Sequence, residues 1–162
     1  MRVSLNVNWN SLEMDWAFLN KDVLKGYFES IPEMGNELRE IKLEGSIHNG
    51  KPHGNVTLFM TGATVQFWCE DGVPSQQMKI TFQHGYIFEG IIPCGTGILT
   101  FPNGHRYVGD MRYCRPNGEG TFYIKDGGHI KGNWKEGHMN GLMTLIKADG
   151  SESILDATES DL

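Results

Sequence analysis

Residues Gly104–Gly127 read GHRYVGDMRYCRPNGEGTFYIKDG, and the interpretation of this stretch decides the fold. Its glycines suggest a phosphate-cradling turn, but no GKS or GKT follows and no strand–loop–helix pattern frames it. The same arrangement instead returns on both sides. In register with YVGDMRYCRPNGEGTFYIKDG from Tyr107 are LEGSIHNGKPHGNVTLFMTG from Leu43, VQFWCEDGVPSQQMKITFQHG from Val65, FEGIIPCGTGILTFPNG from Phe88 and IKGNWKEGHMNGLMTLIKADG from Ile130. The five starts lie 22, 23, 19 and 23 residues apart, and the short step belongs to the third unit, which lacks four residues at its first turn.

Each unit reads as two strands and two turns. Alternate residues of a strand share a face, so the first strands group Leu43-Gly45-Ile47, Val65-Phe67-Cys69, Phe88-Gly90-Ile92, Tyr107-Gly109-Met111 and Ile130-Gly132-Trp134. The second strands group Val56-Leu58-Met60, Met78-Ile80-Phe82, Gly97-Leu99-Phe101, Gly120-Phe122-Ile124 and Met143-Leu145-Lys147. Gly50, Gly72 and Gly137 fall in the first turn, where positive φ favours glycine. Gly45, Gly90, Gly109 and Gly132 lie inside strands, where glycine weakens the element unless a neighbour must come close. The pattern predicts that neighbouring side chains fill these gaps, and that Leu99 and Phe122 are buried. The fold class expected is all-β: an elongated single-layer antiparallel sheet of hairpins with an atypical N-terminal cap.

The arrangement resembles the MORN family, whose repeat of about 23 residues opens Tyr-x-Gly, places an aromatic two residues later and sets Gly-x-Gly before its second strand. YVGDMRYCRPNGEG and IKGNWKEGHMNG carry the resemblance most plainly, and LEGSIHNGKPHG keeps the glycines without the aromatics. Phe67 and Gln76 stand where the pattern has glycines, and Cys114 replaces a turn glycine. The resemblance covers Leu43 to Gly150. It implies successive hairpins in one twisted sheet and a role in assembly, dimerisation or partner docking.

Outside the repeats, residues 1–42 are expected to form a cap or interface region, with 43–150 the five repeats and 151–162 an acidic strand or tail. Val3, Leu5, Val7 and Trp9 alternate as in a strand, and a helix follows from Asn10 or Ser11 to about Leu24. LKGYFES looks like an eroded repeat. A sheet that ends in an open edge needs such a cap.

Net charge is −6 and unevenly spread. Residues 1–40 carry 4 basic and 7 acidic groups, 41–150 carry 10 and 9, and 151–162 carry none and 4. A general nucleic-acid binder would need a basic surface. The three cysteines, Cys69, Cys94 and Cys114, form no CxxC, and the N-terminus has no signal-like apolar run. The expectation is a cytoplasmic protein with free thiols, the cytoskeleton being one place of assembly.

No catalytic residue, cofactor or metal is expected. Equivalent turn histidines of neighbouring units stand roughly 10 Å apart, too far to share one zinc ion. Cys94 and His105 fall at opposite ends of one strand, and Glu70-Asp71 and Asp110 read as turn or solvent-facing acids. The function expected is a non-catalytic protein-binding or scaffold module that docks a helical partner segment or forms a homodimer through its sheet. Tyr107, Met111, Phe122, Trp134, Trp16 and Tyr27 are the candidate partner-binding residues. Packing within the sheet is the competing role for the four in the repeats. Two alternatives stay open: binding to phosphoinositides or a membrane surface through Arg106, Arg112, Arg115, Lys131 and Lys135, and service as an accessory domain of a larger enzyme.

Overall fold

A computed structural model describes the backbone of residues 2–8, 40–60 and 62–161, and the side chains of 42–60 and 62–158. Every regular element among them is a β-strand. Trp9, Trp16, Tyr27 and the expected helix lie outside the described residues.

The chain divides into two compact units, Met1–Gln83 and His84–Leu162. The first contains β1 (Arg2–Asn8), β2 (Glu40–His48), β3 (Lys51–Phe59), β4 (Ala63–Glu70) and β5 (Val73–Phe82). The second contains β6 (Ile87–Ile91), β7 (Cys94–Thr100), β8 (Arg106–Arg112), β9 (Arg115–Tyr123), β10 (His129–Lys135), β11 (His138–Ile146) and β12 (Glu152–Asp161). Within each unit every strand pairs antiparallel with its chain neighbours, and the order in the sheet is the order in the sequence. The alternating segment at the N-terminus is indeed a strand, with Leu5 opposite Leu43 and Val7 opposite Ile41. The acidic C-terminal segment adds the last strand, β12, against β11.

The first turns show why the repeat starts as it does. Both central residues have positive φ at Asn49-Gly50, Asp71-Gly72, Tyr113-Cys114 and Glu136-Gly137. That pair of conformations is the hairpin turn whose twist matches the flanking strands. Cys114 sits at φ +62° in the place the other three give to glycine. Successive turns are then tied together: Gly72 N–H donates to the Pro52 carbonyl at 2.8 Å and Gly137 N–H to the Pro116 carbonyl at 2.9 Å. The second turns also repeat. Phe101 N–H donates to His105 O, Ile124 N–H to Gly128 O and Lys147 N–H to Ser151 O, at 2.9–3.0 Å.

One face of each unit forms the apolar core, which contains no buried polar or charged residue among the described side chains. In the first unit it is built from Leu43, Val56, Leu58, Val65, Phe67, Cys69, Met78 and Ile80. The row Gly45–Val56–Phe67–Met78 runs straight across β2 to β5, so here side chains themselves fill the row. The second unit solves the same problem differently. Its equivalent row is Gly90–Gly97–Gly109–Gly120–Gly132, glycine on five adjacent strands. Rings from the adjoining row fold over that glycine track. Leu99 is buried as expected, whereas Phe122 is only half-buried, which corrects the expectation for it.

Candidate interaction site

Tyr107 on β8 shows what the glycine track is for. A side chain on Gly120 would collide with the Tyr107 ring, and one on Gly109 would meet backbone atoms of Glu119 and Gly120 at 2.5 Å. The ring is therefore accommodated only because both residues are glycine. Its hydroxyl donates to Asp110 O at 2.8 Å and lies 3.4 Å from Glu119 O, so the buried polar tip is satisfied. Burial, with the Asp110 charge beside it, pushes the phenol well above its ordinary range. Trp134 on β10 closes the arrangement from the far side. Its Nε1–H donates to Gly120 O at 3.0 Å.

Phe88 repeats the device one unit earlier, its ring lying over Gly90 and Gly97. In the last unit Met143 replaces the ring, with Sδ 2.6 Å from where a Gly132 Cβ would stand. The strand glycines are thus packing sites, as their positions implied.

This packing decides which candidate residues keep surface. Tyr107 is 0 %, Met111 3 % and Trp134 2 % exposed, so their side chains are spent inside the folded unit. Phe122 differs because the gap at Gly120 is already occupied. It leans instead on Phe101, Trp134 and His105, with ring centroids 5.5, 6.3 and 5.4 Å away. Phe101 in turn meets Tyr86 at 5.4 Å. Tyr86, Phe101 and Phe122 form a partly open aromatic ladder at the second-turn end of the unit, with Tyr86 38 % exposed. Sequence reading singled out Phe122 and missed the other two. Their signal was available: Phe101 ends a second-strand triad, and Tyr86 stands two residues before Phe88, on the same face.

The opposite face is polar with aromatic insertions covered by cations. Arg106 stacks on Tyr123 at 5.0 Å, Arg112 on Tyr113 at 5.1 Å and Lys42 on Phe59 at 5.7 Å. The basic groups named as a membrane patch are interrupted here: the Asp110 carboxylate lies among them and accepts the Glu119 N–H at 3.1 Å.

Neither Cys69 nor Cys94 is placed for covalent catalysis. Cys69 is fully buried and its thiol is pushed up to about 12 by desolvation, so it is not a thiolate near neutrality. Cys94 is exposed, at the start of β7, while His105 lies beyond the far end of that strand and accepts the Lys125 N–H through Nδ1 at 3.0 Å. No described helix is long and apolar enough to cross a membrane.

An open antiparallel sheet of tandem hairpins, with the Phe88 and Tyr107 rings laid over paired glycines in the second unit, defines a β-repeat protein. The MORN repeat model matches residues 44–55, 88–106, 107–129 and 131–152, and the chain belongs to the MORN-repeat family. The match passes over 56–87, where side chains of Val56, Phe67 and Met78 replace the glycine row. MORN repeats are commonly protein- or membrane-binding modules and are generally non-catalytic. No curated protein matches the chain significantly.

Proposed function

We propose that this chain is a non-catalytic docking module that receives an apolar helical segment of a partner protein along the aromatic ladder of its second unit. The observation that carries the reading is the partial exposure of Tyr86, Phe101 and Phe122 beside fully buried neighbours. Aromatic rings held rigid by edge-to-face contacts offer contact area with little rotamer entropy to lose. A helix suits them because its own stripe recurs every three to four residues and can seat against successive ladder rings. Tyr107, Met111 and Trp134 then act from beneath, by fixing the sheet on which the ladder stands. Self-association through the same ladder is the variant reading, and the cytoplasm with its cytoskeleton is the proposed setting.

The test is affinity capture with quantitative mass spectrometry, comparing the wild type with the Phe101→Ser, Phe122→Ser double variant. Circular dichroism first establishes that both are folded. Loss of a protein partner from the folded variant supports the ladder. Capture of the same partners in equal amounts by both proteins would overturn it.

A further inference from the structure

We propose that the first unit binds one first-row transition-metal ion, with Zn²⁺ the best match, at its first-turn end through His53, Glu70 and Asp71, with His48 as the fourth donor. Ligand atoms of His53, Glu70 and Asp71 all lie within 4.8 Å of one another. One pair, His53 Nδ1 and Asp71 Oδ1, stands 3.5 Å apart. Two donors of a tetrahedral ion with bonds of about 2.1 Å stand roughly 3.4 Å apart, so this pair already has the required separation. Glu70 must close by at most about 1.4 Å to reach that separation, which a rotamer adjustment supplies.

His48 comes from the same hairpin as His53, and the two ring centroids are 5.8 Å apart. Two imidazoles on one tetrahedral ion place their centroids about 5 Å apart. The separation between repeats, which keeps equivalent turn histidines from sharing an ion, does not apply within a hairpin. The fold brings the rest together through the turn. β3 and β4 are paired, Gly54 opposite Cys69, so His53 faces the end of β4 where Glu70 and Asp71 begin the next turn.

The surroundings suit an ion. Trp68 Nε1–H donates to Glu70 Oε2 at 3.1 Å, orienting the carboxylate and leaving Oε1 for coordination. The Trp68 ring also stands edge-on to His53, 6.0 Å away, restricting the imidazole. His53 Nδ1 accepts the Asp71 N–H at 3.3 Å, beyond the usual range of such bonds. An ion would exchange that weak contact for a coordinate bond. Two carboxylates balance a divalent charge, and two imidazoles select against Ca²⁺ and Mg²⁺, which take oxygen ligands.

The experiment uses the untagged full chain, stripped with chelator, titrated calorimetrically with ZnCl₂ and separately with CaCl₂. The expected result is one Zn²⁺ per chain, a raised melting temperature and no saturable Ca²⁺ heat. His53→Ala should lower Zn²⁺ affinity at least tenfold. So should Asp71→Asn, which keeps a residue suited to the positive φ of 46° and so preserves the turn. His84→Ala, an exposed histidine in the other unit, should change nothing. A smaller loss in the folded Asp71→Asn variant, an equal loss in His84→Ala, or saturable Ca²⁺ binding of comparable affinity overturns the proposal.

Discussion

Trp134 stands edge-on to Tyr107, with ring centroids 5.4 Å apart and planes at 81°, although an entire strand, β9, runs between theirs. The contact is possible because β9 presents Gly120 at that point. The missing side chain admits the Tyr107 ring, and the Gly120 carbonyl accepts the indole N–H. Sequence, backbone and packing therefore meet at one glycine. Gly120→Ala should destabilise by more than about 2 kcal/mol, because the added methyl has no space that a small shift could open. In a Tyr107→Leu background the same substitution should cost at least about 1 kcal/mol less, since the ring it strikes is gone. Urea unfolding of the four proteins measures the coupling. Strictly additive losses would show that Gly120 matters for backbone conformation alone.

Leu99 and Phe122 occupy equivalent positions in adjacent units but differ in burial, so their truncations should differ too. Leu99→Ala removes a side chain that is 7 % exposed and should cost about 2–5 kcal/mol. Phe122→Ala should cost less than the full value for a buried ring, about 1–2 kcal/mol, because part of that ring already meets solvent. A larger loss for Phe122 than for Leu99 in equilibrium unfolding would place the packed face elsewhere.

The hairpin repeat was legible because its signals are local. Alternation fixes the face of each residue, and paired turn residues such as Glu136-Gly137 fix each strand's end. The glycine track was legible residue by residue, but its continuity depends on register between strands, which Gly97 opposite Gly109 reveals only in the structure. The site was less legible for a related reason. Tyr107 and Phe122 look alike as apolar-face aromatics, yet a single gap at Gly120 takes one ring and excludes the other. His48 and His53 share the first repeat whereas Asp71 falls in the next, a boundary in the reading that the pairing of β3 with β4 closes.

Glu136 offers a stabilising change. It holds φ +51° at the first central position of a hairpin turn, a conformation that Asn adopts more readily. The side chain is exposed, and the backbone N–H already donates to Asn117 Oδ1 at 3.1 Å, a bond the substitution leaves intact. Glu136→Asn should raise stability by about 0.5–1 kcal/mol. A rise in the midpoint of urea unfolding at unchanged slope is the expected readout, and a lower midpoint would mean the Glu side chain has an energetic role of its own.

Alkaline pH should weaken the fold through two buried acids. Cys69 has its folded pKa raised from 9.0 to about 12 by burial, and that of Tyr107 is raised from 10.0 by burial and by the Asp110 charge. Both are neutral in the native state and ionise more easily when unfolded. For Cys69 the stabilisation is present in full below about pH 9 and is lost as pH rises toward 12. Unfolding midpoints at constant temperature should hold from pH 7 to 8.5 and fall beyond pH 9.5. In a thiol assay at pH 8 the exposed Cys94 should react at once and Cys69 only on unfolding. Rapid modification of two or more thiols in the native protein would contradict this placement.

The docking and membrane readings make opposite predictions for charge. Lys131 and Lys135 are exposed on β10, but Glu119 and Glu136 are close in the same sheet region and the net charge of the chain is −6. Attraction to an anionic bilayer requires an excess of cations within a Debye length of about 8 Å at physiological salt. The interleaved acids remove that excess. Vesicles of phosphatidylcholine with phosphatidylserine and a phosphoinositide should therefore leave the wild type in the supernatant at about 0.15 M salt. Lys131→Glu with Lys135→Glu should leave partner capture within about twofold, because exposed charges contribute little once screened. The Phe101→Ser, Phe122→Ser variant should abolish that capture while remaining folded. If instead the wild type sediments with vesicles at that salt, and charge reversal abolishes sedimentation while the aromatic variant sediments normally, the recognition surface is the cationic face and the ladder is only structural.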